Sequence, residues 1–157
     1  MGPTEPAAAN DPLGAQLAEV RAAPARYHRV DAAIADGYVS TVECVELPSG
    51  APMGIHFINP GLEMDPAIDP TRPELLLYVP TKNGRLRLVG VEYFKADADQ
   101  NLVTDADRPA LFGRGFDGPM LGHALGVPIH FDLHAWIWKN NRDGMFAEFN
   151  PSVSCSP

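Results

Sequence analysis

Five side chains able to bind a metal or move a proton lie in apolar, strand-like runs of this 157-residue chain: His56, Glu92, His130, Asp132 and His134. Three of them belong to Pro128–Trp138, the run Pro-Ile-His-Phe-Asp-Leu-His-Ala-Trp-Ile-Trp. In a β-strand successive side chains point to opposite faces. One face of this run then carries Ile129, Phe131, Leu133, Ala135 and Ile137, and the other carries His130, Asp132, His134, Trp136 and Trp138. Water is a poor partner for two tryptophans, and an apolar core is a poor partner for two histidines and an aspartate. A half-buried pocket with aromatic walls and a polar floor reconciles the two, and such a pocket suits a metal ion or a polar ligand.

Spacing decides which groups could share one ion. Residues at i and i+2 of a strand lie about 7 Å apart on one face and can converge on a metal, whereas i and i+4 lie about 13 Å apart. His130 with Asp132, or Asp132 with His134, is therefore a chelating pair, and His130 with His134 is not. Read as a helix, the same run would bring both histidines to one ion; its aromatic content and Pro128 favour the strand. His56, within Gly-Ile-His-Phe-Ile, and Glu92, within Val-Gly-Val-Glu-Tyr, are polar groups in apolar surroundings, which is costly unless they are paired. Imidazole and carboxylate donors suit a divalent transition metal, Zn, Cu, Fe or Mn, without choosing among them. Trp136 and Trp138 are expected to line the approach for a substrate. His123, between Gly122 and Ala124, is a further ligand-binding or proton-shuttling candidate.

Other motifs carry less. Asp97, Asp99, Asn101 and Asp105 imitate the start of a calcium-binding loop, but Leu102 stands where glycine is required and Arg108 where the bidentate Glu belongs. The stretch reads as a solvated acidic loop. His28 and Asp31 fall three apart on a helix and read as a surface pair. No phosphate-binding loop, Cys-x-x-Cys or nucleophile elbow is present.

The elements that must position these groups are short. Residues 1–11 read as a disordered start, with Met1 an added initiator of an exported chain, and 12–157 as a single α+β domain. Leu13, Leu17 and Val20 predict a first helix, and Tyr27, Val30 and Ile34 a second from Pro24 to Asp36, stopped by Gly37. Strands are predicted over Tyr38–Leu47, Met53–Ile58, Glu74–Val79, Arg85–Phe94 and the aromatic run, with a last short one over Met145–Phe149. Asn83-Gly84 is a hairpin signal. Alternation within the hairpin places Leu86, Leu88, Gly90, Glu92 and Phe94 on one face. The expected architecture is N-terminal helices packed on a mostly antiparallel sheet of five or six strands, open or closed into a barrel.

Composition sets limits. Hydrophobic residues make up 45% and charged residues 20%, and the net charge is −8 with no basic cluster, which disfavours nucleic acid and anionic membrane surfaces as partners. No apolar run reaches the roughly 20 residues of a membrane span. The two cysteines, Cys44 and Cys155, are either buried thiols or one bridge. Cys155 sits in a polar tail, a poor place to bury a thiol and a good one to pin a chain end, so a disulfide and a secreted or periplasmic location are favoured.

Three motifs, Met53-Gly-Ile-His-Phe57, Leu88-Val-Gly-Val-Glu-Tyr93 and His130-Phe-Asp-Leu-His-Ala-Trp-Ile-Trp138, with the tail Asn150–Cys155, resemble a family of small, mostly secreted bacterial proteins of no assigned activity. The resemblance covers Tyr27 to the C-terminus and implies export and a common site. A looser likeness to cupins lacks their His-x-His spacing. Two function classes stand: a metalloenzyme, an oxidoreductase or lyase acting on a small organic substrate, and a non-catalytic binding protein for a metal, haem or small apolar ligand. Oligomeric state is not legible.

Overall fold

Runs rich in Val, Leu, Ile and aromatic residues, separated by Pro, Gly and Asn, make strands joined by turns, and six of them form one antiparallel sheet. The computed structural model describes residues 12–46, 52–122 and 126–156. Helix α1 spans Pro12–Ala22, a 3-10 turn Ala25–His28 and α2 Val30–Ala35. The strands are β1 (Val39–Glu46), β2 (Pro52–Ile58), β3 (Leu75–Pro80), β4 (Leu86–Ala96), β5 (Ala110–Leu111), β6 (Arg114–Gly115), β7 (Asp117–Met120) and β8 (His130–Ala135), with α3 (Pro60–Glu63) after β2. The large sheet runs β1-β2-β3-β4-β8-β7, and β5 pairs only with β6. The sheet is open, edged by β1 and β7, and is not a closed barrel.

Several expectations are corrected. The single helix over Pro24–Asp36 is two pieces, because Arg29 takes an extended conformation (φ −91°, ψ 110°) that helical hydrogen bonding cannot pass through. Ile34, expected on its apolar stripe, is 56% exposed. Tyr27 and Ala33 from these pieces enter the core, with Val20 from α1. Met145–Phe149 forms no strand, although Met145 O accepts the Trp136 N–H. The disordered reading of 1–11 and the reading of His123 fall on residues outside those described.

Cross-strand register assigns the two faces. Ile58 opposes Leu75, Leu75 opposes Glu92, and Glu92 opposes His134. Opposed residues share a face, so His56, Glu92, Phe94, His130, Asp132 and His134 lie on one side of the sheet. Phe57, Leu76, Tyr78, Val91, Tyr93, Phe131 and Leu133 lie on the other and make the main core. β8 is buried along its whole length, so both sides of it are covered.

A register shift between Leu77 and Tyr78 breaks the expected face of β4. Leu77 opposes Gly90 while Tyr78 opposes Leu88, which leaves Val89 as the extra residue of a β-bulge. Leu88 therefore turns into the main core with Tyr78, opposite Glu92 rather than beside it, and Val89 packs with Leu77, Trp136 and Val153. Three buried tyrosines of the main core also tie down irregular chain. Tyr38, Tyr78 and Tyr93 donate their hydroxyls to the carbonyls of Pro73, Tyr27 and Pro70 at 2.6, 2.5 and 2.7 Å.

The acidic loop is not simply solvated. Asp97 is 2% exposed and accepts the N–H groups of Asp99 and Asn101, while Asp107 accepts that of Ala98. These carboxylates organise the loop that carries the chain from β4 toward β5.

Candidate metal centre

Three strands each deliver one ligating side chain to the same point. β4 and β8 are neighbours, so Glu92 and His134 meet directly; His56 reaches them from β2, on the same face across β3. His56 Nε2 lies 3.2 Å and His134 Nε2 3.5 Å from the single oxygen Glu92 Oε2. The two imidazole rings stand at 89° to each other with centroids 6.2 Å apart. One ligating atom from each of the three residues lies within 4.8 Å of the other two.

The polar atoms here are buried without being satisfied. Glu92 Oε2, Asp132 Oδ1 and both ring nitrogens of His134 have no hydrogen-bond partner among the described residues, close as some of them stand. Each orphaned group costs on the order of 1–3 kcal/mol. A cation held among His56, Glu92 and His134 would satisfy the carboxylate oxygen and an imidazole nitrogen together, so the donor set fits a divalent transition metal.

The surroundings hold these groups in place. Trp136 stacks on His134 at 6.0 Å between ring centroids, 18° from parallel, and its indole N–H donates to Ala147 O at 2.7 Å. Gly90 makes room for this: an added Cβ would lie 2.8 Å from Ala135 O and 3.3 Å from the Trp136 ring. Gly54, two residues before His56, has φ +88°, and a Cβ there would come within 2.6 Å of Tyr78 O. Only glycine suits both constraints.

Burial and charge oppose each other throughout. Burial works against a charged His56, but its contact with Glu92 and the Asp132 charge outweigh burial and raise it above the ordinary imidazole value. Burial pushes Glu92 up, yet His134 and His56 overcome it and hold the carboxyl at about 2. Asp132 is raised, by burial first and then by the neighbouring Glu92 charge, despite His130. His130 is also raised: burial lowers it, and Asp132 with the Pro128 carbonyl prevails.

The sequence candidates divide. His56, Glu92 and His134 form the three-residue group. Asp132 stands beside it, Oδ1 3.9 Å from His134 Nδ1, and His130 pairs with Asp132 Oδ2 at 3.4 Å while stacking on Phe94 at 4.6 Å. The tryptophans are corrected: the strand ends at Ala135, and neither Trp136 nor Trp138 lines the cavity at the site. Trp138 crosses to the main core and meets His28 edge-on at 4.8 Å, so His28 is engaged there rather than in a pair with Asp31.

Beside the group lies a cavity of about 410 Å³, walled mainly by Val45, Met53, Ile58, Leu75, Phe94 and Val127. Thr41, Glu43 and Glu63 also line it. Sequence reading missed all three; Glu43 and Glu63 look like any surface carboxylates until the sheet brings them to this cavity.

Cys44 and Cys155 form a disulfide closing 111 residues, with their Cα atoms 5.7 Å apart. It ties the C-terminal segment to β1, the strand that supplies Thr41, Glu43 and Val45 to the cavity. Among the described residues no helix is long and apolar enough to cross a membrane.

The chain matches no known family model, no curated protein and no solved structure. The reading of function therefore rests on the residues and their geometry.

Proposed function

We propose that this chain is an exported metal-dependent protein, with His56, Glu92 and His134 holding one divalent transition metal at the end of a small-molecule cavity. The observation that carries this reading is the convergence of buried donors without hydrogen bonds: Glu92 Oε2 and the His134 nitrogens make none among the described residues, yet Glu92 Oε2 lies 3.2 Å from His56 and 3.5 Å from His134. Two imidazoles and one carboxylate are a donor set used for catalytic zinc and for non-haem iron. Three protein ligands would leave a coordination position for water or substrate, and His56, Glu92 and His134 all line the cavity. This supports a metalloenzyme, an oxidoreductase or lyase of a small organic molecule, over a carrier, which would close its shell. When bound, the metal would supply Lewis acidity. The protein's own part is to orient the histidines through Trp136 and Glu92, exclude water with apolar walls, and keep His130–Asp132 within the cavity.

The Cys44–Cys155 bridge supports an oxidising compartment, in line with the resemblance to small secreted bacterial proteins. The packing of the N-terminal helical pieces on the core through Val20 and Tyr27 belongs to this reading as well.

The test is elemental analysis of protein purified without chelators, with melting temperature measured on adding Zn, Cu, Mn or Fe. One ion per chain and a rise in melting temperature are expected, both lost in His56→Ala and His134→Ala. If protein carries no metal and none of the four ions moves its melting temperature, the metal reading is wrong.

A further inference from the structure

The cavity's chemistry is one-sided. Four carboxyl side chains line it, Glu43, Glu63, Glu92 and Asp132, and no Lys or Arg is among its lining residues. The metal would be the single permanent positive charge facing a ligand, and Glu92 already answers it. A carboxylate or phosphate ligand would enter without an Arg or Lys to pair with, which is how buried anions are ordinarily held. The walls are apolar, formed by Val45, Met53, Phe94 and Val127 among others. A volume of about 410 Å³ sits at the low end of small-molecule sites, which run about 300–1,000 Å³. Thr41 and His130 also line the cavity, and of the lining residues outside the metal group Asp132, which is 1% exposed, has a buried oxygen, Oδ1, without a hydrogen-bond partner. Its other oxygen faces His130. An unmatched acceptor in such a place calls for a donor.

We propose that this cavity takes a small, non-anionic organic molecule with an apolar body and a hydrogen-bond-donating head, an amine or an alcohol, whose head is received by Asp132. The proposal rests on the metal reading for its orientation, since Asp132 stands 3.9 Å from His134, one of the three residues that would hold the ion. Asp132 is on this account a specificity-determining residue, and Glu43 and Glu63 repel anions at the cavity's edge.

The test is calorimetric titration of zinc-loaded protein, near neutral pH, with three probes of nearly equal size: benzylamine, benzyl alcohol and benzoate. Benzylamine and benzyl alcohol are expected to bind at least about tenfold more tightly than benzoate. Asp132→Asn should remove most of the preference for benzylamine. Should that variant not fold, Glu43→Lys with Glu63→Lys should shift the order toward benzoate. Benzoate binding as tightly as benzylamine, or no binding of any probe to zinc-loaded protein, overturns the proposal. Failure of the metal reading is recorded separately, as absence of zinc uptake in the same samples. The metal-free protein should still rank benzylamine above benzoate because the four carboxyl groups remain, and the reverse order there overturns the inference too.

Discussion

Glu92 sits directly opposite His134 across the β4–β8 ladder, and its Oε2 is shared between that ring at 3.5 Å and His56 at 3.2 Å. A carboxylate 5% exposed on a sheet face is held there by two imidazoles that compete for one oxygen. The arrangement is poorly satisfied as a hydrogen-bond network and well suited to a cation placed between all three.

Glu92→Gln keeps the shape and removes the charge. Metal affinity should drop by more than about 100-fold, the upper effect of losing a mere outer-shell partner. The metal-free variant should still fold, as shown by an unchanged circular dichroism spectrum. Wild-type affinity in the variant, measured by chelator competition, would remove Glu92 from the ligand set.

Metal-free and metal-loaded protein should respond to acid with opposite signs. His56 is raised above its ordinary 6.5, so its contribution to stability is complete below 6.5 and lost as pH rises through the raised value. Glu74, raised by burial to about 7 from 4.5, costs stability earlier, as pH rises from 4.5 through about 7. Glu92, held at about 2, contributes above 4.5 and fails as pH falls toward 2. Metal-free protein should therefore be most stable in mildly acidic solution. Protons compete with metal for His56, so the zinc-induced rise in melting temperature should shrink as pH falls below the raised His56 value. An equal zinc-induced rise at about pH 8 and about pH 5 would contradict this.

Cys44→Ser with Cys155→Ser should lower stability by roughly 3–5 kcal/mol, the chain-entropy value for so long a loop. No ligand comes from β1, so zinc stoichiometry should survive at low temperature while binding in the cavity weakens. Denaturant titration of oxidised and reduced wild type gives the same comparison without mutation.

Gly54→Ala should cost about 1–3 kcal/mol, the penalty for forcing a side chain into a left-handed conformation, with an added clash at Tyr78 O, 2.6 Å from the new Cβ. Because His56 lies two residues on, metal affinity should fall with stability. Loss of neither in thermal and zinc titrations would show that β2 can shift without moving His56.

Much of the site was written in the sequence. Period-two alternation over His130–Ala135 forecasts its two faces correctly, because a strand's geometry permits no other arrangement. The Asn83-Gly84 hairpin follows from local backbone chemistry: Gly84 takes φ +77° in the turn joining β3 to β4. The Cys44–Cys155 pairing followed from there being two cysteines and one exposed tail.

Local rules failed where distant chain intervened. Alternation was carried through Trp138, but β8 stops at Ala135 because Trp136 N–H turns to Met145 O and Trp138 N–H to Val89 O. Leu88 changed face because one extra residue, Val89, bulges against β3. Which of five polar candidates converge was likewise beyond sequence: His130 and Asp132 share the face, yet the sheet order puts Glu92 opposite His134 and brings His56 across β3 to meet it. Residue types and the period of a strand determine which side chains face the same way. Strand order, register shifts and the segments laid over the sheet determine which of those side chains meet, since that depends on packing between residues far apart in the chain.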